Sequence, residues 1–387
     1  MTATSTRYRP ADLWLFGDTL LLTVLGLWMA LDTSYPTTLS HARGQATLMH
    51  LLWGQALGAC IGLLALFFCM LISPRILRRI AASGALTGLI LLLLVWAPHL
   101  GVRLNNSNRW IKFGGVVIQS SELAKILLLI YVADRLAAAS KRVRMPGWQE
   151  IWPTLLVSGL TLFLIEKEPD LGTAFVLFLA VAVQFYLAGV RKRHLITIGV
   201  VCLFSVLLFG MHGKGLAHRQ ERIVAFLHPH YDPEGIGYQV QHARLAVGSG
   251  ELLGEGFGNG LQKYYLPQAN SDFVFATYAE ETGFVGSMLL LTLLLLICWR
   301  GFLITLRCRS ENQFDALLAG GISALIGVQA LTNIAVATGS IPATGVPLPF
   351  VSHGSSSLIV LMACSGLLLN IGQRGRETEA LQRQQTV

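Results

Sequence analysis

Ten apolar runs, separated by polar or charged stretches, dominate this chain: 13–32, 50–72, 80–99, 119–138, 152–166, 172–190, 194–211, 273–299, 314–338 and 355–372. About 20 apolar residues cross the ~30 Å hydrocarbon core of a bilayer. Backbone in lipid must satisfy its own hydrogen bonds, so such runs are helices. The fifth and seventh runs are short by this measure, and the alternating pattern of a β-barrel is absent. Only 13% of the 387 residues are charged, against about 25% in a soluble domain. The reading is an all-α, polytopic integral membrane protein with about ten transmembrane helices and a long loop, 212–271, between spans 7 and 8.

Charge sets the orientation. With the N-terminus in the cytoplasm, 18 Lys and Arg fall on the inner side and 10 on the outer, with Lys125 inside a span. The outer count is inflated by 212–271, and long loops obey the positive-inside rule weakly. The expectation is N-in and C-in, with the net charge of +8 serving topology and attracting anionic lipid. No basic stripe with interleaved aromatics points to nucleic acid. Trp14, Trp28, Trp53, Trp96, Trp148, Trp152 and Trp299 near span ends form an interfacial belt. The six cysteines avoid the outer loops, so no extracytoplasmic disulfide is expected. The first apolar run reads as a retained signal anchor. The chain divides into a cytoplasmic tail 1–12, one membrane domain 13–372 and a polar, mobile cytoplasmic tail 373–387. There is no nucleotide phosphate loop, so ATP is not an evident energy source.

The unusual chemistry lies on the outer side, in stretches rich in Gly, Pro and Asn that read as loops or broken helices. Glu122 and Lys125 share a helix face at the start of span 4. Such charges serve function or a structural ion pair with equal weight. Asp272 ends the longest loop just before span 8. It is either a helix N-cap or a group facing a cavity, and its position favours the cavity. Glu280 and Glu281, inside that span, read as structural and partnered by another element. In EPD (168–170), Asp170 fits turn chemistry first and a second acid at the same cavity next. Arg109 and Lys112 flank Trp110 and suit an anionic headgroup or an ordinary membrane interface. His228, His230 and Asp232 make a poor metal triplet.

The runs NRWIKFGG…QSSELAK (108–125), EPDLGT (168–173), GYQVQHARLAVGSGELLGEGFGNGLQKYYLPQANSDFVFATYAEETGFVG (237–286) and TGVPLPFVSHGSSSL (344–358) occur in an order that resembles the SEDS family (shape, elongation, division and sporulation), also called the FtsW/RodA family. GEGFGNGLQKYYLP is closer to the FtsW branch. The resemblance implies ten transmembrane helices in the bacterial cytoplasmic membrane. It implies a peptidoglycan glycosyltransferase that polymerises lipid II on the outer face, working with a class B penicillin-binding protein and with divisome or elongasome proteins. It makes Asp272 the essential acid and carries Arg109, Trp110, Glu122, Lys125 and Asp170 as substrate-site residues. There are departures. Ser120 stands where Pro is usual, Glu168 for Gln, Asn270-Ser271 for His-Thr, Glu251 for Gly, and His353 and Ser355 for Tyr and Gly.

The chemistry implied is attack of a sugar hydroxyl on an anomeric carbon whose leaving group is a lipid diphosphate. It needs a base, here Asp272, and charge stabilisation on the diphosphate, here Arg109 and Lys125. Inversion needs no covalent intermediate. No cofactor is required outright. A divalent cation, Mg or Mn, held by the diphosphate with Asp170 or Asp272 is compatible with this scheme. The alternatives are a lipid II flippase and a non-catalytic scaffold for the penicillin-binding protein.

Overall fold

Burial sorts the helices into a shielded centre and a lipid-facing ring. The computed structural model describes residues 12–39, 44–98, 100–104, 107–113, 116–143, 145–210, 216–228, 235–310 and 312–385. Its elements in order are α1 (Leu13–Leu39), α2 (Gly44–Leu71), α3 (Pro74–Leu94), β1 (Gly101–Leu104), β2 (Ser107–Phe113), β3 (Val116–Gln119), α4 (Ser120–Arg142), α5 (Trp148–Lys167), α6 (Leu171–Leu187), α7 (Lys192–Gly210), α8 (Leu216–Leu227), α9 (Ile236–Ser249), α10 (Val274–Cys308), α11 (Gln313–Ala337) and α12 (Ser355–Gln385).

Each of the ten apolar runs falls on a helix. Among the described residues, seven helical segments are long and apolar enough to cross a membrane, in α1, α2, α3, α5, α10, α11 and α12, and α6 is shorter but apolar. α4 is different: Glu122, Lys125, Asp134 and Arg135 lie within it, and most of its residues are buried. α4 and α11 are therefore central helices, hydrophobic on all sides except where charges pair, whereas α1, α2 and α5 turn Trp14, Trp53, Phe68, Trp152 and Leu156 outward. The chain is a multi-pass membrane protein.

Small residues let the helices approach closely, as expected where lipid provides no hydrophobic drive between them. Gly58 and Gly62 of α2 lie against Ser355 and Met362 of α12, and Gly366 of α12 packs on the Leu66 carbonyl of α2. Polar side chains bridge what remains. Gln184 of α6 donates to Leu129 of α4 at 3.0 Å and to Leu317 of α11 at 3.1 Å. Asn370 caps the end of α2 through Cys69 and Ile72, at 2.8 and 2.7 Å.

Three expectations change. The stretch after α3 is a three-stranded antiparallel sheet, β1-β2-β3, not a loop; RWIKF and VVIQ flanking Gly-Gly are the sequence pattern of a hairpin. Segment 212–271 contains α8 and α9, and the polar tail 373–385 is helical, continuing α12. The helix keeps going because RETEALQRQQ contains no Gly or Pro to stop it.

Span 8 is a broken helix. Inside α10, Gly283 has φ 64° and ψ −163°, a conformation open to glycine almost alone. An unbroken helix would bond Phe284 N–H to Glu280 O and Val285 N–H to Glu281 O. Instead Phe284 and Val285 donate to Glu251 and Leu252 at 2.9 and 3.1 Å, while Glu255 and Gly256 donate to the carbonyls of Glu280 and Glu281, both at 3.0 Å. Both bonds lost at the break are replaced, one for one, by the 251–256 loop, as backbone at membrane depth requires.

Candidate functional site

Hydrogen bonds link the starts of α4, α6, α10 and α12 at the end of the bundle that carries the sheet: Ser120 to Glu168, Gln119 N–H to Ser356 and His353 N–H to Asn270 O. Asp170 caps α6, its Oδ1 accepting from Thr173 N–H at 3.2 Å. This is the turn chemistry expected of it. The other oxygen, Oδ2, has no hydrogen-bond partner and lies 3.7 Å from Arg109 Nη1. Arg109 also grips the turn itself, donating Nε to Glu168 O at 3.1 Å and Nη2 to Pro169 O at 2.5 Å. Strand alternation puts Arg109 and the buried Ile111 on one face of β2 and turns Trp110 to the other.

Asp272 is half-buried, one residue before the N-cap position of α10, which Phe273 occupies. Its carboxylate therefore does not cap the helix, and the structural reading of this residue fails. Its main chain is held from three sides. Asn333 Nδ2 donates to Asp272 O at 2.8 Å, Ser352 Oγ to Ser271 O at 2.6 Å, and His353 N–H to Asn270 O at 2.8 Å. Gly345, at φ 75°, passes so near that a Cβ there would lie 3.5 Å from Asp272 Oδ2. Burial raises the Asp272 pKa; the charges of Arg109 and Arg222 oppose the rise and Asp170 adds to it. Arg222 reaches this group from α8, its Nη1 donating to Ala343 O at 3.1 Å.

The structure thus brings Arg109, Asp170 and Asp272 together. It keeps Glu122 and Lys125 apart from them as a buried pair, Nζ to Oε1 2.9 Å, both side chains 3% exposed or less. That pair faces the buried thiol of Cys364 on α12.

Several contributors escaped the sequence reading. Arg222 entered it only as a counted charge, although α8 is strongly amphipathic. Asn333 is one of several buried polar residues in an apolar span, with Asp315, Gln329 and Thr332, and buried polarity at membrane depth is the signal that could have found it. Glu280 and Glu281 have the structural partners expected of them. Glu280 accepts from Leu261 and Gln262 N–H at 2.8 and 3.0 Å. Lys263 bridges Glu281, at 2.7 Å, and Asp32 of α1, at 2.5 Å. His230 and Asp232 lie outside the described residues, and His228 is exposed.

Departures from the family pattern meet in space. Ser120 Oγ lies 3.0 and 3.3 Å from the two carboxyl oxygens of Glu168, so the unusual Ser serves the unusual Glu. Glu251 has φ 44°, which accounts for the glycine usual there.

The architecture and the site define a class: a helical multi-pass membrane protein with acids and arginines gathered at helix N-termini on one face. The model of the FtsW, RodA and SpoVE cell cycle proteins matches residues 13–377. Among curated proteins, the probable peptidoglycan glycosyltransferase FtsW of Hahella chejuensis is 36% identical over 386 residues, covering 97% of this chain and 94% of that protein. The same-named protein of Trichlorobacter lovleyi is 35% identical over 318 residues, 82% of each chain. Among solved structures, a chain from work on the structural coordination of polymerization and crosslinking by a peptidoglycan synthase complex aligns with TM-score 0.75 and 29% identity, over 94% of this chain and 98% of that one. The rod shape determining protein RodA of Thermus thermophilus aligns at TM-score 0.67 and 29% identity, over 94% and 97%. The chain belongs to the FtsW/RodA/SpoVE family.

Proposed function

We propose that this protein is a peptidoglycan glycosyltransferase that polymerises lipid II at the outer face of the cytoplasmic membrane, on the FtsW side of its family. The observation that carries the proposal is the placement of a half-buried carboxylate, Asp272, beside Arg109, Arg222 and Asp170.

Asp272 is the base that takes the proton from the acceptor sugar hydroxyl as that oxygen attacks the anomeric carbon. Burial raises its pKa, which makes its ionised form a stronger base than an exposed carboxylate. The departing lipid diphosphate gathers negative charge. Arg109 and Arg222, with the positive N-terminal ends of α4, α6 and α10, are placed to stabilise it. Lys125 is occupied by Glu122, so this reading assigns the pair to holding α4 and gives the diphosphate to the arginines. Trp110, on the opposite face of β2, suits the lipid or sugar boundary of the site.

Asp170 Oδ2, buried and without a hydrogen-bond partner, fits a Mg or Mn ion only together with substrate oxygens. Among the described residues no group of three His, Cys, Asp or Glu converges on one point. Such an ion would neutralise charge on the diphosphate, and Asp170 with Asp272 would hold it.

Ten spans with both termini in the cytoplasm are the topology we assign, from the charge bias. The partner is a class B penicillin-binding protein, a reading supported by the synthase complex among the structural neighbours; division proteins follow from the FtsW-like relatives. The test is labelled lipid II with the purified chain and that partner. Glycan polymer from wild type, and none from a folded Asp272→Ala variant, is the expected result. Lipid movement across vesicles without polymer would instead establish a flippase.

A further inference from the structure

A second polar feature lies at the other end of the bundle. α6 runs from its cap Asp170 to Leu187, and α10 from Val274 to Cys308. The far ends of both are therefore remote from Asp272. Between them is a half-open cavity of about 470 Å³ whose wall includes Met145, Tyr186, Arg191, Lys192 and Arg309 and, among the described residues, contains no acid.

Among the described residues, none of these three cations has a carboxylate within ion-pair distance. Arg78, Arg135, Arg300 and Arg374 all have one, in Asp134, Asp12 or Asp315.

The turn that presents the cations is firmly built. Gly189, at φ 76°, ends α6 with paired bonds from Gly189 N–H to Tyr186 O, 3.1 Å, and Val190 N–H to Phe185 O, 3.3 Å. This is a left-handed helix cap. Ser140 of α4 ties the same turn down through Ala188 O at 3.1 Å. α7 starts immediately, the Arg191 carbonyl accepting from His194 and Leu195 N–H.

Its first turn holds no acid; Arg191 immediately precedes it, and Lys192 and Arg193 open it. Cations at the positive end of a helix oppose its dipole; anions belong there. Topology explains basic residues on this side. It does not explain why Arg191, Lys192 and Arg309, without a carboxylate partner among the described residues, line one cavity at a helix N-terminus. Arg309 alone is accounted for locally, since it ends α10 where a cation is favoured.

We propose that this cavity binds the phosphate of an anionic phospholipid from the adjacent leaflet. The guanidinium groups match phosphate oxygens in pairs, and the first-turn N–H groups of α7 add donors. Tyr186 and Met145, 63% and 56% exposed, form the amphipathic wall that a glycerol and upper acyl chain require; a free phosphate has no use for it.

The test uses the full chain in detergent micelles, with thermal unfolding followed as lipid is added. Phosphatidylglycerol is expected to raise the midpoint by several degrees, about as mass action predicts for a saturated site, and phosphatidylcholine to leave it unmoved. Arg191→Gln/Lys192→Gln/Arg309→Gln should abolish that gain. Arg75→Gln/Arg79→Gln/Arg307→Gln, which removes equal charge outside the cavity, should keep it. Should the first variant fail to fold, Arg191→Gln alone is expected to weaken phosphatidylglycerol retention in native mass spectrometry about tenfold. Equal loss in both triple variants, unchanged retention by Arg191→Gln, or equal protection by inorganic phosphate would overturn the proposal.

Discussion

Asn333 donates one amide hydrogen to the carbonyl of Asp272, at 2.8 Å, and the other to Val346, at 2.7 Å. A single side chain of the central helix α11 thus fixes the turn that bears the proposed base and the 344–354 segment that lies over it. Asn333→Ala leaves two carbonyls unpaired, at about 1–3 kcal/mol for each buried group. It also frees Asp272 to drift. A displacement of ~1 Å can cost about a hundredfold in rate, so glycan synthesis should fall steeply while the purified variant still unfolds cooperatively. Wild-type turnover in a lipid II polymerisation assay would show that Asn333 does not position the base.

Lys263 is the second organising residue. It is buried between Asp32 and Glu281 and also donates to Gly258 O at 3.0 Å. Burial alone would lower its pKa, but the hydrogen bonds and charges of Asp32 and Glu281 outweigh that and raise it. Lys263→Met would strand two buried carboxylates, a loss of about 3–5 kcal/mol for a broken buried pair. Asp32→Asn/Lys263→Met/Glu281→Gln should recover much of it. Thermal midpoints in detergent give the answer; no recovery in the triple variant would mean that Lys263 acts by shape rather than charge.

Helices and chemistry were legible in this sequence to different degrees. Apolar runs report helices directly, because lipid leaves the backbone no other way to satisfy itself, and all ten coincide with helices. Ends were less visible. α3 starts at Pro74 because Ser73 caps it, Oγ accepting from Ile76 N–H at 3.4 Å, several residues before its apolar stretch. The sheet was missed because its strands are short and lie among polar residues. Asp272, Arg109 and Asp170 stood out as charges beside apolar spans, where charge is expensive. Arg222 and Asn333 did not, because only the folding of α8 and α11 against those turns gives them their role. The replacement of α10's missing bonds by residues 251–256 is a long-range pairing that no local pattern encodes.

The break in α10 makes a sharp prediction about glycine. A Cβ at Gly283 would lie 2.7 Å from Gly250 O and from the Leu252 carbonyl carbon, in a backbone conformation L-residues avoid. Gly283→Ala should therefore disrupt the 250–256 loop and prevent recovery of folded protein. Glu251 is the converse. It sits at φ 44°, a left-handed conformation costing about 1–2 kcal/mol for a residue with a Cβ. Glu251→Gly should raise the thermal midpoint slightly without loss of polymerisation, and a lower midpoint would show that the Glu251 side chain contributes more than its backbone strain costs.

Glu168 contributes to the pH response of stability. Its side chain is buried, and desolvation is the main cause lifting its pKa to about 8. The Asp170 charge adds to this, while the Ser120 hydrogen bond and Arg109 pull the other way. The folded protein therefore keeps this proton up to about pH 8, whereas the unfolded chain releases it near 4.5. Unfolding within that window sheds a proton, so this group makes stability fall as pH rises from about 4.5 to about 8, by up to ~1.4 kcal/mol per pH unit, and contributes no further slope above it. Glu168→Gln preserves the shape and can still hydrogen-bond Ser120, but it cannot ionise. It should remove that slope, match wild type near pH 4.5 and exceed it in thermal midpoint near pH 9. Parallel midpoint-against-pH curves for the two proteins would mean that Glu168 is already ionised in the fold, with Arg109 and Ser120 sufficient to hold the charge.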